Sequence, residues 1–121
     1  MSRVRIENDQ LVITMQGARK FFSMKSEISV PISSVQTATT GLEWRELPRA
    51  WEKVIGTNSM SFYHGGTFCQ DGDRVFFDLR KKEEAVVITL ADEDFKRIII
   101  GVDDPAATVE LIQQALNGKN N

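Results

Sequence analysis

Apolar residues recur at every second position through much of this chain. In "EISVPIS", Ile28, Val30 and Ile32 fall on one face while Ser29, Pro31 and Ser33 fall on the other, which is the alternation of a half-buried strand. In "RVFFDLRK", Val75, Phe77 and Leu79 alternate with Phe76, Asp78 and Arg80, and the first set is expected to point inward. "SRVRIEN" and "QLVITMQ" flank Asn8-Asp9 and predict a hairpin with Val4, Ile6, Leu11 and Ile13 on its inner face. "EAVVITLA" and "KRIIIGVD", with the polar turn "LADEDF" between them, complete the spacing of an antiparallel all-β architecture. Pro31 has no N–H to give to a ladder, so its strand belongs at an edge or a bulge. The β-branched run "SSVQTATTG" predicts that the chain turns a corner at Ser33-Ser34 and continues into a second sheet.

After "RIII" the period changes from two to 3.6. Asp104 followed by Pro105 is a helix start: the carboxylate caps free N–H groups, and proline at the first helical position gives up nothing it needed. Val109, Ile112 and Leu116 then share a stripe flanked by Leu111 and Ala115, with Glu110, Gln113, Gln114 and Asn117 on the wet side. Gly118 is the expected end, with 118–121 a frayed tail. So short a helix is marginal alone in water and must dock its stripe on the sheets, closing one end of a small barrel. Together the two periods predict one core containing Ile28, Val30, Ile32, Val75, Phe77, Leu79, Val86, Ile88, Ile98, Ile100, Val109, Ile112 and Leu116.

Two segments break the pattern. "GARKFFSMKS" reads as one helical turn or a bent connection, and about 41–66 reads as a long irregular insertion in which "RAWEKVI" can hold a helical turn after Pro48. Connections longer than about 12–15 residues are uncommon in compact domains and often carry function. The 121 residues are the length of one domain, 1–121, and 41% apolar with 26% charged residues is ordinary globular composition. A net charge of −2 supplies no general attraction for nucleic acid or an anionic membrane, so no nucleic-acid partner is expected. Cys69 is the single cysteine and "MSRVRIENDQ" lacks the apolar run of a signal peptide, which points to a reducing, cytoplasmic setting.

The strand pair "EISVPISSV", the turn region "GTFCQDGDRVFFDL", the hairpin "AVVITLADEDFKRIIIGVDDP" and the terminal helix together resemble the bacterial pleckstrin-homology-like domains, over most of the chain outside the central segment. The resemblance implies a mostly β, α+β fold: a partly open barrel of two roughly orthogonal antiparallel sheets closed by one C-terminal amphipathic helix. It also implies open sheet edges able to take a partner strand, and no fixed chemistry. Phosphoinositide-binding members place basic residues around the loop joining their first two strands. Here that loop is "ENDQ", and Glu7 and Asp9 would repel a phosphorylated head group, so specific phosphoinositide binding is not expected.

Two residue sets stand out as binding candidates. Trp44, Arg45, Arg49, Trp51, Phe62 and Tyr63, with Lys53 among them, have the aromatic and arginine composition of protein interfaces, although large residues also pin a long excursion to its own domain. Arg19, Lys20, Phe21, Phe22 and Lys25 form a basic-aromatic segment around Met24 that suits a lipid surface, unless the phenylalanines pack inward and the charges are merely solvated. His64 and Cys69 offer no zinc set and only a weak nucleophile-base pair, so no cofactor, metal or catalytic group is expected. The leading expectation is a non-enzymatic binding or scaffolding module that engages a protein partner or itself as a homo-oligomer. A peripheral lipid-binding module is the alternative, and an enzyme or ligand carrier near His64 is the third.

Overall fold

β1 (Ser2–Glu7) and β2 (Gln10–Met15) pair in antiparallel register, Glu7 opposite Gln10, with Asn8 and Asp9 as the two-residue link. Both link residues have positive φ, 51° and 62°, the requirement of the hairpin turn whose twist matches the strands. Asn and Asp are the non-glycine residues that tolerate it best. The structure is a computed structural model that describes residues 2–15, 27–41, 52–59, 63–70, 72–80 and 84–119.

β3 (Glu27–Pro31) pairs with β2 and is an edge of a three-stranded sheet ordered β1-β2-β3, with Pro31 as its last residue. A 3-10 turn at Ile32–Ser34 then turns the corner into β4 (Val35–Thr40), the first strand of a second sheet. The corner is tied on both sides. Ile32 N–H donates to Asp9 O at 2.9 Å, Ala91 N–H donates to Ser34 O at 2.9 Å, and Ser34 Oγ donates to Glu93 Oε2 at 2.8 Å.

The second sheet adds β5 (Glu52–Ser59), β6 (Tyr63–Gln70), β7 (Asp73–Arg80), β8 (Ala85–Leu90) and β9 (Arg97–Gly101), in the spatial order β4-β8-β9-β7-β6-β5. β9 slots between β7 and β8, so it pairs parallel with β7 and antiparallel with β8. The sheet is therefore mixed, where the spacing of the strands predicts antiparallel pairs alone. Among the described residues the chain is mostly β, with two sheets and a C-terminal helix, and the sheets keep separate ladders without closing into a barrel.

Much of the insertion expected at 41–66 is strand. β5 runs through 52–59, where the sequence suggests a helical turn, and pairs along its whole length with β6. Gly56, Asn58, Gly65 and Gly66 weaken the local β signal. Pairing overrides it, with a register shift between Lys53 and Ile55. Gly66, at φ 110°, takes a conformation that L side chains rarely adopt.

Among the described residues the apolar interior forms two cores. The first lies between the sheets and includes Leu11, Ile13, Ile28, Val30, Ile32, Ala38, Phe76, Val86, Ile88, Ile98, Ile100 and Ile112. The second lies on the other face of the six-stranded sheet and consists of Phe68, Val75, Phe77, Leu79, Ala85 and Ile99. Val75, Phe77 and Leu79 are buried as predicted, but they belong to this second core. Phe76 and Asp78, assigned by alternation to the outside, are both 0% exposed. The continuous run Ile98–Ile100 has the same cause: a central strand covered on both faces needs no polar alternation. Val4, Ile6, Val109 and Leu116 are half-buried against the first core.

α1 (Pro105–Lys119) packs on β4, the corner turn, β1 and β8, so it bridges the two sheets beside the corner. Asp104 caps it as predicted: Oδ1 accepts from Ala107 N–H at 3.0 Å and the main-chain oxygen accepts from Thr108 N–H at 3.0 Å. Gly118 lies inside the last turn and the helix continues to Lys119, so Gly118 is not its terminator. Asp104→Ala is expected to cost about 1 kcal/mol of stability, the usual worth of a side-chain cap, with Asp104→Asn close to neutral by urea unfolding.

Candidate functional site

Among the described residues each sheet presents two edges, and the four differ in what guards them. β1 carries exposed Arg3, Arg5 and Glu7. Arg5 spreads across the outer face of its sheet: Nε donates to Glu7 Oε2 at 2.9 Å, Nη1 to Thr14 Oγ1 at 2.9 Å and Nη2 to Glu27 Oε1 at 3.2 Å. The bond to Glu7 raises the guanidinium above its ordinary pKa against opposing desolvation, with Glu27 adding to the rise. Charge along an edge discourages a strand from docking there. β3 is blocked differently, since Pro31 has no N–H to offer.

The two edges of the larger sheet are unlike one another. Over β4 lies α1, whose Gln113 Nε2 donates to Ala38 O at 3.5 Å and so occupies a carbonyl that points off the sheet. β5 pairs with β6 on one side, and on the other no strand is found among the described residues. Among the described residues, these eight residues of backbone form an edge without the helix of β4 or the proline of β3. Charge is confined to its first two positions, Glu52 and Lys53.

Of the residues singled out in the sequence, Trp44, Arg45, Arg49, Trp51 and Phe62 lie outside the described residues, as do Arg19, Lys20, Phe21, Phe22 and Lys25. Tyr63 opens β6, in register with Ser59 of β5 and Arg80 of β7. His64 and Cys69 lie on this one strand, five residues and so roughly 16 Å of extended chain apart, which keeps them from acting as a pair. Cys69 is a free, half-buried thiol opposite Glu52 and Arg74. Among the described residues no group of three or more His, Cys, Asp or Glu side chains is placed to hold a metal ion. Likewise, no described helix is long and apolar enough to cross a membrane.

Alternation alone misses one polar contact that matters to the architecture. Ser2 Oγ donates to Asp78 Oδ2 at 2.5 Å, joining β1 of the smaller sheet to β7 in the middle of the larger one. Both groups are buried, Ser2 at 3% exposure and Asp78 at 0%. A carboxylate buried this way is held by hydrogen bonds, because leaving it unsatisfied costs several kcal/mol. The signal in the sequence is an aspartate inside "VFFDL", a run too apolar for a strand with one wet face.

No family model, no curated protein and no solved structure matches this chain.

Proposed function

We propose that this chain is a non-enzymatic binding module that engages protein by strand addition at the β5 edge, and that its partner is a second copy of itself. The observation that supports the reading is the asymmetry of the four edges. Charge guards β1, proline guards β3 and a helix guards β4, whereas along β5 no described residue supplies such a guard on the outer side. An open edge gives affinity through main-chain hydrogen bonds and needs only modest side-chain complementarity. The interface-like residues bracket this strand in the sequence: Trp44, Arg45, Arg49 and Trp51 precede it, and Phe62 and Tyr63 follow it. A relation to the bacterial pleckstrin-homology-like domains is part of the same proposal, and two sheets followed by a C-terminal helix, the plan that resemblance implies, support it. A cytoplasmic setting, in which the free Cys69 would stay reduced, agrees with this reading as well.

Sedimentation equilibrium across a wide concentration range tests it. The expected result is a mass that rises with concentration from one chain toward two, through an interface burying on the order of 1,000 Å² or more. A single monomeric mass at every concentration would contradict self-association.

A further inference from the structure

Asn117 and Gly118 stand side by side in the last turn of α1. Both are exposed, just past Leu116, whose side chain packs against the first core. A Cβ built at Gly118 meets nothing within 4 Å, so no neighbour crowds the peptide link between the two residues. In an asparagine-glycine pair a side-chain carboxamide faces a main-chain nitrogen that no side chain shields, on the residue with the widest choice of φ and ψ. That pair can react with itself.

Held in the helix, it is inert. Helical φ and ψ commit the Gly118 N–H to the carbonyl four residues back and keep its nitrogen turned away from the Asn117 carboxamide. Reaction needs the turn to open, and the local chemistry favours opening here. Glycine and asparagine are both poor helix formers, and carbonyls of a last turn have no partner further along the helix. Opening at Asn117 and Gly118 leaves the packing of Val109, Ile112 and Leu116 in place.

We infer that Asn117 is a site of spontaneous deamidation. In the opened turn the Gly118 nitrogen gives its proton to base and attacks Cγ of Asn117. The bond from Cγ to the side-chain nitrogen breaks, and that nitrogen takes up a proton and leaves as ammonia. Water then opens the resulting succinimide at one carbonyl or the other, giving aspartate, or isoaspartate with the main chain running through the former side chain. Either product sets a negative charge at the negative end of α1, and isoaspartate also lengthens the main chain, so the last turn is weakened. The inference is independent of strand addition at β5.

The test is incubation of the full chain at neutral pH and at one pH unit higher, followed by peptide mapping with mass spectrometry that separates aspartate from isoaspartate. Both products are expected at position 117, forming faster than at Asn8 or Asn58, which precede Asp9 and Ser59. The rate should rise with hydroxide. Gly118 has a helical backbone and open space around it, so Gly118→Ala fits without strain. It favours the closed turn about four- to five-fold, the helix-propensity difference between the two residues, and deamidation should slow by at least that factor. Circular dichroism melting of the variant, at or above the midpoint of the parent, shows that the slower reaction does not come from a damaged fold. An intact Asn117 after prolonged incubation, a rate indifferent to pH, or a rate unchanged by Gly118→Ala would each overturn the assignment.

Discussion

Truncation after Asp103 is expected to abolish cooperative folding. The fragment loses Ile112, which is 0% exposed in the first core, together with Val109, Ala115 and Leu116 packed beside it. Full burial of such a side chain contributes about 1.5–3 kcal/mol, and the half-buried ones contribute part of that. The sum is a large share of a net stability that is roughly 5–15 kcal/mol for a domain. Removal also bares the β4 edge at Ala38 and uncovers the corner turn on which the helix packs. Thermal melting followed by circular dichroism should show a broad, non-cooperative change. A soluble fragment that melts sharply near the midpoint of the full chain would show that the helix is dispensable to the fold.

Phe77→Ala is expected to cost about 3–5 kcal/mol, the usual effect of emptying a buried aromatic site. Phe77 is 0% exposed, lies in register with Gly66 and Ile99, and meets Phe68 edge-to-face at 5.4 Å between ring centroids. Phe76, one residue earlier, faces the other core and meets Phe95 at 5.7 Å. If the six-stranded sheet separates two cores, Phe77→Ala and Ile112→Ala act on different clusters and their effects add to within about 0.5 kcal/mol. Phe77→Ala and Phe68→Ala share a cluster, and their effects should not add. Denaturant unfolding of the single and double variants supplies both numbers. Strong coupling between Phe77 and Ile112 would argue for the single core that alternation predicts.

Local signals were enough to read the hairpin at Asn8-Asp9, the corner after Pro31, the edge position of β3 and the Asp104 cap. Each rests on a residue whose own backbone or side-chain chemistry is decisive: positive φ at Asn and Asp, the missing N–H of proline, a carboxylate over free N–H groups. What escaped depends on partners distant in the chain. Period two says which residues share a face, but not whether the other face is wet, so Phe76 and Asp78 were placed outside when β7 is covered on both sides. β5 escaped because Gly56 and Asn58 dilute its propensity and only its pairing with β6 makes it a strand. The open edge followed from neither period, because a strand's place in a sheet is a property of topology. The aromatic and arginine residues around β5 were legible as interface composition, and the strand they bracket was not.

Amide hydrogen exchange along β5 tests the central claim most directly. The N–H groups of Glu52–Ser59 that point away from β6 have no strand to bond within the described chain. Strand addition by a second copy predicts that these alternate amides are protected at high protein concentration and lose protection on dilution. The outer edge of β1, which pairs with no other strand among the described residues and is guarded by Arg3, Arg5 and Glu7, should exchange rapidly at every concentration. Outward amides of β5 that exchange as fast as those of β1 at all concentrations would contradict the account.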